Sequence, residues 1–227
     1  MANSPFKSRL MIPIAALFLG LLFGAIFVYG TDGLSGNGKH VPIAAANAPA
    51  CKTNDALKAS LEAVATGELA AMRIAAKPVS LHEIGFETAA GEKISIANWK
   101  DKVVLLNLWA TWCGPCREEM PDLAEIQKTR GSDRFQVVAL NVDRNGGDKP
   151  KEFLESIKAD VLGLYLDPEN VAFQNLRSKG LAFGLPTTML VDGNGCVQGV
   201  LSGIAHWGSQ DALNLIDAAT RELGGKA

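Results

Sequence analysis

The stretch Val103-Val104-Leu105-Leu106-Asn107-Leu108-Trp109-Ala110-Thr111-Trp112-Cys113-Gly114-Pro115-Cys116 decides the fold. Val103 to Trp109 is an almost unbroken apolar run of strand length, the pattern of a strand covered on both faces. A helix is predicted from Cys113 to about Thr129, with Met120, Leu123 and Ile126 directed inward. Cysteines three apart at a helix start put the first sulfur at the exposed tip, where unpaired N–H groups and the positive end of the dipole favour a thiolate. The second lies one turn in, shielded. This suits disulfide exchange, with Cys113 as nucleophile and Cys116 as resolving thiol. The competing reading is half of a zinc site, but Cys51 and Cys196 are singletons far away and no second paired-ligand motif exists. No metal is expected.

Outward from this stretch, strands and helices alternate. Phe86 to Thr88 and Ile94 to Ile96 flank Ala89-Ala90-Gly91-Glu92 as a hairpin. Phe135 to Asn141, Leu164 to Leu166, Thr187 to Val191 and Val197 to Leu201 read as strands, the last two paired across Asp192-Gly193-Asn194-Gly195. Pro150 to Ala159, Glu169 to Ser178 and Gln210 to Leu223 read as helices. Leu57, Leu61 and Val64 follow helical spacing, Gly67 interrupts, and Leu69 and Met72 resume before Pro78, which predicts one broken helix. The order implies a layered α/β domain over 78–227 after a helical extension over 51–77.

The whole chain has 227 residues, 48% hydrophobic and 20% charged, with a net charge of -2. It is too apolar to be disordered and too nearly neutral to be built for polyphosphate, so no nucleic-acid partner is expected. Four cysteines are too few for a disulfide scaffold. No residue from Leu10 to Thr31 is charged, and Lys7 and Arg9 precede this stretch. As a helix, about twenty such residues span roughly 30 Å, a bilayer's hydrocarbon core. A cleaved leader is the competing reading, encouraged by Ala44-Ala45-Ala46 and Ala48-Pro49-Ala50. Those alanines lie far downstream of the apolar run, which favours an uncleaved anchor over 10–31. By the positive-inside tendency residues 1–9 are then cytoplasmic, and all that follows the anchor lies outside. Residues 32–50, rich in Gly, Ala and Pro, read as a flexible linker.

Val104 to Cys116, with Asn141-Val142-Asp143, Gly184-Leu185-Pro186-Thr187-Thr188 and Leu201-Ser202-Gly203, resembles the thioredoxin superfamily, and more closely its membrane-anchored TlpA subgroup of thiol:disulfide interchange proteins. The resemblance implies a thioredoxin-like fold: a central mixed β-sheet flanked by helices, an N-terminal β-hairpin, and a TlpA-type insertion around Arg144 to Gly180. It makes Pro186 the cis-proline opposite the cysteines, leaving the backbone of Leu185 free to pair with an extended substrate. Pro121 matches the family's kink within the active-site helix. Trp112, Pro115, Leu185, Gly203 and Ile204 are expected to frame an apolar client-binding surface. Trp99 and Trp207 are expected only to pack, and His40, His82 and His206 are assigned no chemistry. Cys51 and Cys196 match the subgroup's second, structural disulfide.

Asn107 departs from the pattern, because typical thioredoxins carry a buried aspartate there. Glu119 matches an acidic position in related membrane-anchored reductases and is expected to assist proton transfer at Cys116. A solvated surface acid is the competing reading. The resemblance implies a protein-disulfide reductase in the periplasm, held to a bacterial inner membrane, with no cofactor beyond the redox-active Cys113/Cys116 pair. A membrane thiol transporter is its expected electron donor. Its expected clients are copper-chaperone or oxidase-subunit thiols in respiratory copper-oxidase assembly, with apocytochrome c in cytochrome c maturation as the alternative. A Cu(I) metallochaperone is disfavoured, because its relatives space their cysteines by three residues and add a distal histidine. A thiol peroxidase is disfavoured because such enzymes lack a Gly-Pro-separated pair.

Overall fold

The computed structural model describes residues 50–144 and 146–223. The predicted segment 1–9, anchor 10–31 and nearly all of the linker lie outside them, and among the described residues no helix is long and apolar enough to cross a membrane.

Strand β4, Val103–Trp109, is buried at every position, as its unbroken apolar run requires. Its side chains alternate between two cores. Val103, Leu105 and Trp109 enter one, with Leu123, Phe135 and Trp207, while Val104, Leu106 and Leu108 enter the other, with Ala172 and Leu176. A helix α2, Gly114–Arg130, leaves its end and covers the first face together with α5, Gln210–Leu223. On the second face sits α4, Val171–Ser178. This is the thioredoxin-like α/β sandwich expected from the sequence.

The sheet has eight strands in the order β1-β8-β7-β4-β5-β6-β2-β3. Here β1 is Arg73–Ser80, β2 Gly85–Thr88, β3 Lys93–Ser95, β5 Phe135–Asn141, β6 Tyr165–Leu166, β7 Thr187–Val191 and β8 Cys196–Ser202. It is mixed: β4 runs parallel to β5 and antiparallel to β7. The N-terminal hairpin is β2 with β3. The segment Arg144 to Gly180 supplies helix α3, Asp148–Ser156, strand β6 and α4, so it lengthens the sheet beyond β5.

The N-terminal region departs from the expected broken helix. Helix α1 is Asp55–Val64, a single 3-10 turn covers Gly67–Leu69, and from Arg73 the chain is an edge strand paired with β8. The expected boundary between residues 77 and 78 therefore falls inside β1. Helical spacing of Leu69 and Met72 was a poor guide because both are buried from a turn, not from one face of a helix. The helix expected over Pro150 to Ala159 starts and stops earlier, and Ile96 begins a 3-10 turn after β3.

Candidate active site

The two cysteines sit where β4 hands over to α2. Cys113 caps the helix with extended backbone, and the Cys116 N–H donates to Cys113 Sγ at 3.2 Å. Pro115 occupies the first turn, where a missing N–H costs nothing. The sulfurs are joined as a disulfide with a Cα–Cα distance of 5.3 Å. In this oxidised form Cys113 is buried, with 6% of its surface exposed, and Cys116 has none, so the first cysteine is not the openly exposed one expected: packing at the helix start covers both. Trp112 beside it is 72% exposed. Pro121 continues the helix while offering no N–H to the Arg117 carbonyl one turn back.

The Leu185-Pro186 peptide bond is cis. Pro186 is buried and its carbonyl accepts the Gly203 N–H at 3.0 Å, which ties the loop before β7 to the loop after β8. Gly203 has φ +101, in the region that favours glycine. Leu185 is half-buried, Ile204 exposed, and Phe183, absent from the expected client surface, is 64% exposed. An aromatic three residues before the cis-proline was the available signal.

Glu119 is no surface acid. It is 1% exposed, and its carboxylate accepts from three donors at once. Oε1 accepts the Ala205 N–H at 2.8 Å and the Trp207 indole N–H at 3.1 Å, and Oε2 accepts from Asn107 Nδ2 at 3.2 Å. Burial pushes its pKa up to about 7, against the lowering effect of those three donors, with a further push from Asp122. Trp207 packs at full burial, as expected, and also orients this acid. The spacing contained the signal: Cys116, Glu119, Met120 and Leu123 fall at i, i+3, i+4 and i+7, one inward stripe. Asn107 also donates to Thr188 Oγ1 at 2.9 Å, and its own carbonyl oxygen has no partner.

Away from these sulfurs, Cys51 and Cys196 are joined, with a Cα–Cα distance of 5.7 Å. The bond ties the chain just before α1 to the start of β8. Trp99 stacks near Phe86 and meets Tyr165 edge-on, a packing arrangement. His82 hydrogen-bonds the Asn194 carbonyl at 2.6 Å, and His206 lies exposed beyond β8.

The Redoxin family matches residues 44–216. Thioredoxin-like protein YneN of Bacillus subtilis is 34% identical over 53% of this chain and 68% of its own length. The thiol-disulfide oxidoreductase ResA of Geobacillus thermodenitrificans is 32% identical over 50% of this chain, a region that spans 62% of that relative. Among solved structures, a DsbE-type thiol:disulfide interchange protein of Chlorobium tepidum superposes with a TM-score of 0.52 at 31% identity, covering 60% of this chain and 92% of its own. With Cys113 capping the helix that holds Cys116, and with a cis bond at Leu185-Pro186, the chain belongs to the Redoxin family and, within the thioredoxin superfamily, to the thiol-disulfide oxidoreductases of the TlpA/ResA type.

Proposed function

We propose that this chain reduces disulfides of client proteins outside the cytoplasm. The observation that carries the reading is the Cys116 N–H aimed at Cys113 Sγ from the first turn of a helix. A donor so placed stabilises a Cys113 thiolate once the bond is reduced. That thiolate attacks one sulfur of the client disulfide, giving a mixed disulfide and releasing the first client thiolate. The Cys116 thiol loses its proton, attacks Cys113 Sγ, and releases the second client thiolate. The client has then gained two electrons and, on protonation, two protons, and Cys113–Cys116 is left oxidised. A dithiol donor must reduce it again.

Glu119 takes the Cys116 proton in this scheme. It follows Cys116 by one turn of α2, and a carboxyl titrating at about 7 exchanges protons readily near neutrality. Trp112, Pro115, Leu185, Pro186 and Gly203 form the client-facing rim. Gly114-Pro115 between the cysteines resembles reducing members of the superfamily. The apolar segment 10–31 supports a membrane anchor, and the Cys51–Cys196 bond supports an oxidising compartment such as the periplasm. A membrane thiol transporter is the matching electron source. The preferred clients are thiols of a copper chaperone or oxidase subunit, which must be reduced before copper binds.

The test is a trap. Cys116→Ser in the full chain should stall the mixed disulfide on Cys113, and the captured proteins can be identified after thiol release. Copper-binding proteins support the reading, and apocytochrome c precursors replace the client. No capture, together with no reduction of small disulfides by the unaltered protein, removes the reductase function.

A further inference from the structure

Beside the cysteines lies an open cleft of about 690 Å3 that the exchange chemistry does not use. Trp112 and Leu185 are among its lining residues, so it shares two residues with the client-facing rim. Val142 and Phe173 give it apolar surface, and Asn170 and Gln174 add polar groups. Its size falls within the range of ligand-binding clefts.

The charges in it are unevenly satisfied. Arg144 and Lys149 line it, both exposed, and neither takes part in any ion pair among the described residues. The one acid in the lining is Asp143, which is 8% exposed. Its Oδ2 is occupied, accepting the Thr111 N–H at 3.1 Å and Asn141 Nδ2 at 3.2 Å. Its Oδ1 is buried without a partner. Two cations outside any ion pair and one carboxylate leave the lining with an excess of one positive charge. Leu185, at its mouth, makes no backbone–backbone hydrogen bond among the described residues.

We propose that this cleft receives the client chain next to its attacked cystine and selects a segment carrying an acidic side chain, read by Arg144 and Lys149. The inference rests on the reductase reading and adds its specificity. An extended client pairing with the Leu185 backbone runs from the sulfurs toward Phe173. A carboxylate on that segment meets the guanidinium and ammonium groups. Charges at such a rim act chiefly on encounter and discrimination between partners.

Two synthetic peptides test it, each closed by one disulfide and identical except for Glu or Lys at the positions flanking the attacked cysteine. The reduced full chain in detergent is mixed with each, and tryptophan fluorescence follows its oxidation. The acidic peptide should react about fivefold faster, roughly one exposed charge pair's worth. The preference should fade in salt of about 0.5 M. In R144E/K149E the order of the two peptides should reverse, a ratio insensitive to any general change in rate. Equal rates in the unaltered chain, a preference untouched by salt, or an unchanged ratio in R144E/K149E overturns the inference while leaving the reductase intact. Failure to reduce a small neutral disulfide overturns the reductase reading, and the inference with it.

Discussion

Asn107 Nδ2 donates to Glu119 Oε2 at 3.2 Å, joining β4 to α2 beneath the cysteine pair. The strand position where typical thioredoxins hold an aspartate thus keeps a carboxylate for its neighbour, supplied by the helix. The acid reaches the interior from the helix, and the strand amide holds it there.

Glu119→Gln should change stability with a definite sign. The folded pKa, about 7, lies above the ordinary 4.5, so the folded protein binds more protons than the unfolded chain between those values. Stability from this group is full below about 4.5 and is lost as pH rises through about 7. The loss is about 3 kcal/mol at most. The substituted side chain carries no charge at any of these pH values, and Asn107 could turn its unpartnered oxygen toward the new amide. Urea unfolding should find the two proteins alike near pH 5 and the variant more stable near pH 8. A parallel pH dependence in both would contradict the burial argument.

The same substitution should also slow the chemistry. In the unaltered protein the rate of disulfide reduction should rise through about pH 7 as Glu119 ionises. The variant should be slower by about 100-fold or more and lack that inflection. Stopped-flow rates from pH 5.5 to 9 decide it.

Trp207→Phe keeps most of the packing and removes one donor to Glu119 Oε1. That donor lowers the Glu119 pKa, so its loss should push the titration further up. A stability cost of about 1–3 kcal/mol at neutral pH should accompany it. An NMR titration of the Glu119 carboxyl that moved downward would refute the arrangement.

Cys51 and Cys196 are 145 residues apart in sequence. Closing so long a loop stabilises by about 5 kcal/mol on the chain-entropy argument. C51S/C196S should lower the unfolding free energy by up to that amount while still forming the Cys113–Cys116 bond. Equal denaturation midpoints would mean that the bridge adds no stability.

Gly67 adopts φ +51, and a Cβ there would collide with the Asp211 carboxylate, which already accepts from Thr66 Oγ1 and the Glu68 N–H. Gly67→Ala should cost about 1–2 kcal/mol and loosen α1 from α5, as faster amide exchange in Asp55–Val64 would report.

Where the apolar pattern was regular, sequence and structure agree closely. Phe135–Asn141, Thr187–Val191 and Gln210–Leu223 have the bounds expected from their apolar patterns. β1 was illegible for the opposite reason. Arg73-Ile74-Ala75-Ala76-Lys77-Pro78-Val79-Ser80 is an edge strand with no fully buried residue and a register shift between Ile74 and Val79. Only its pairing with β8 makes it a strand, and pairing leaves no local pattern. At the site, the cysteine motif was legible because its chemistry is local. The bond from Trp207 to Glu119 joins residues 88 apart, and no spacing rule reaches that far.

The burial of Cys113, 6% exposed, has a bearing on how the oxidised protein meets other thiols. Attack on that sulfur must come nearly along the bond that is to break, and little of Cys113 is open to it. A cysteine presented on a slender, extended segment meets so covered a sulfur more easily than one recessed in a folded surface. Low exposure of this cysteine then slows exchange of the oxidised pair with any thiol whose shape does not fit it.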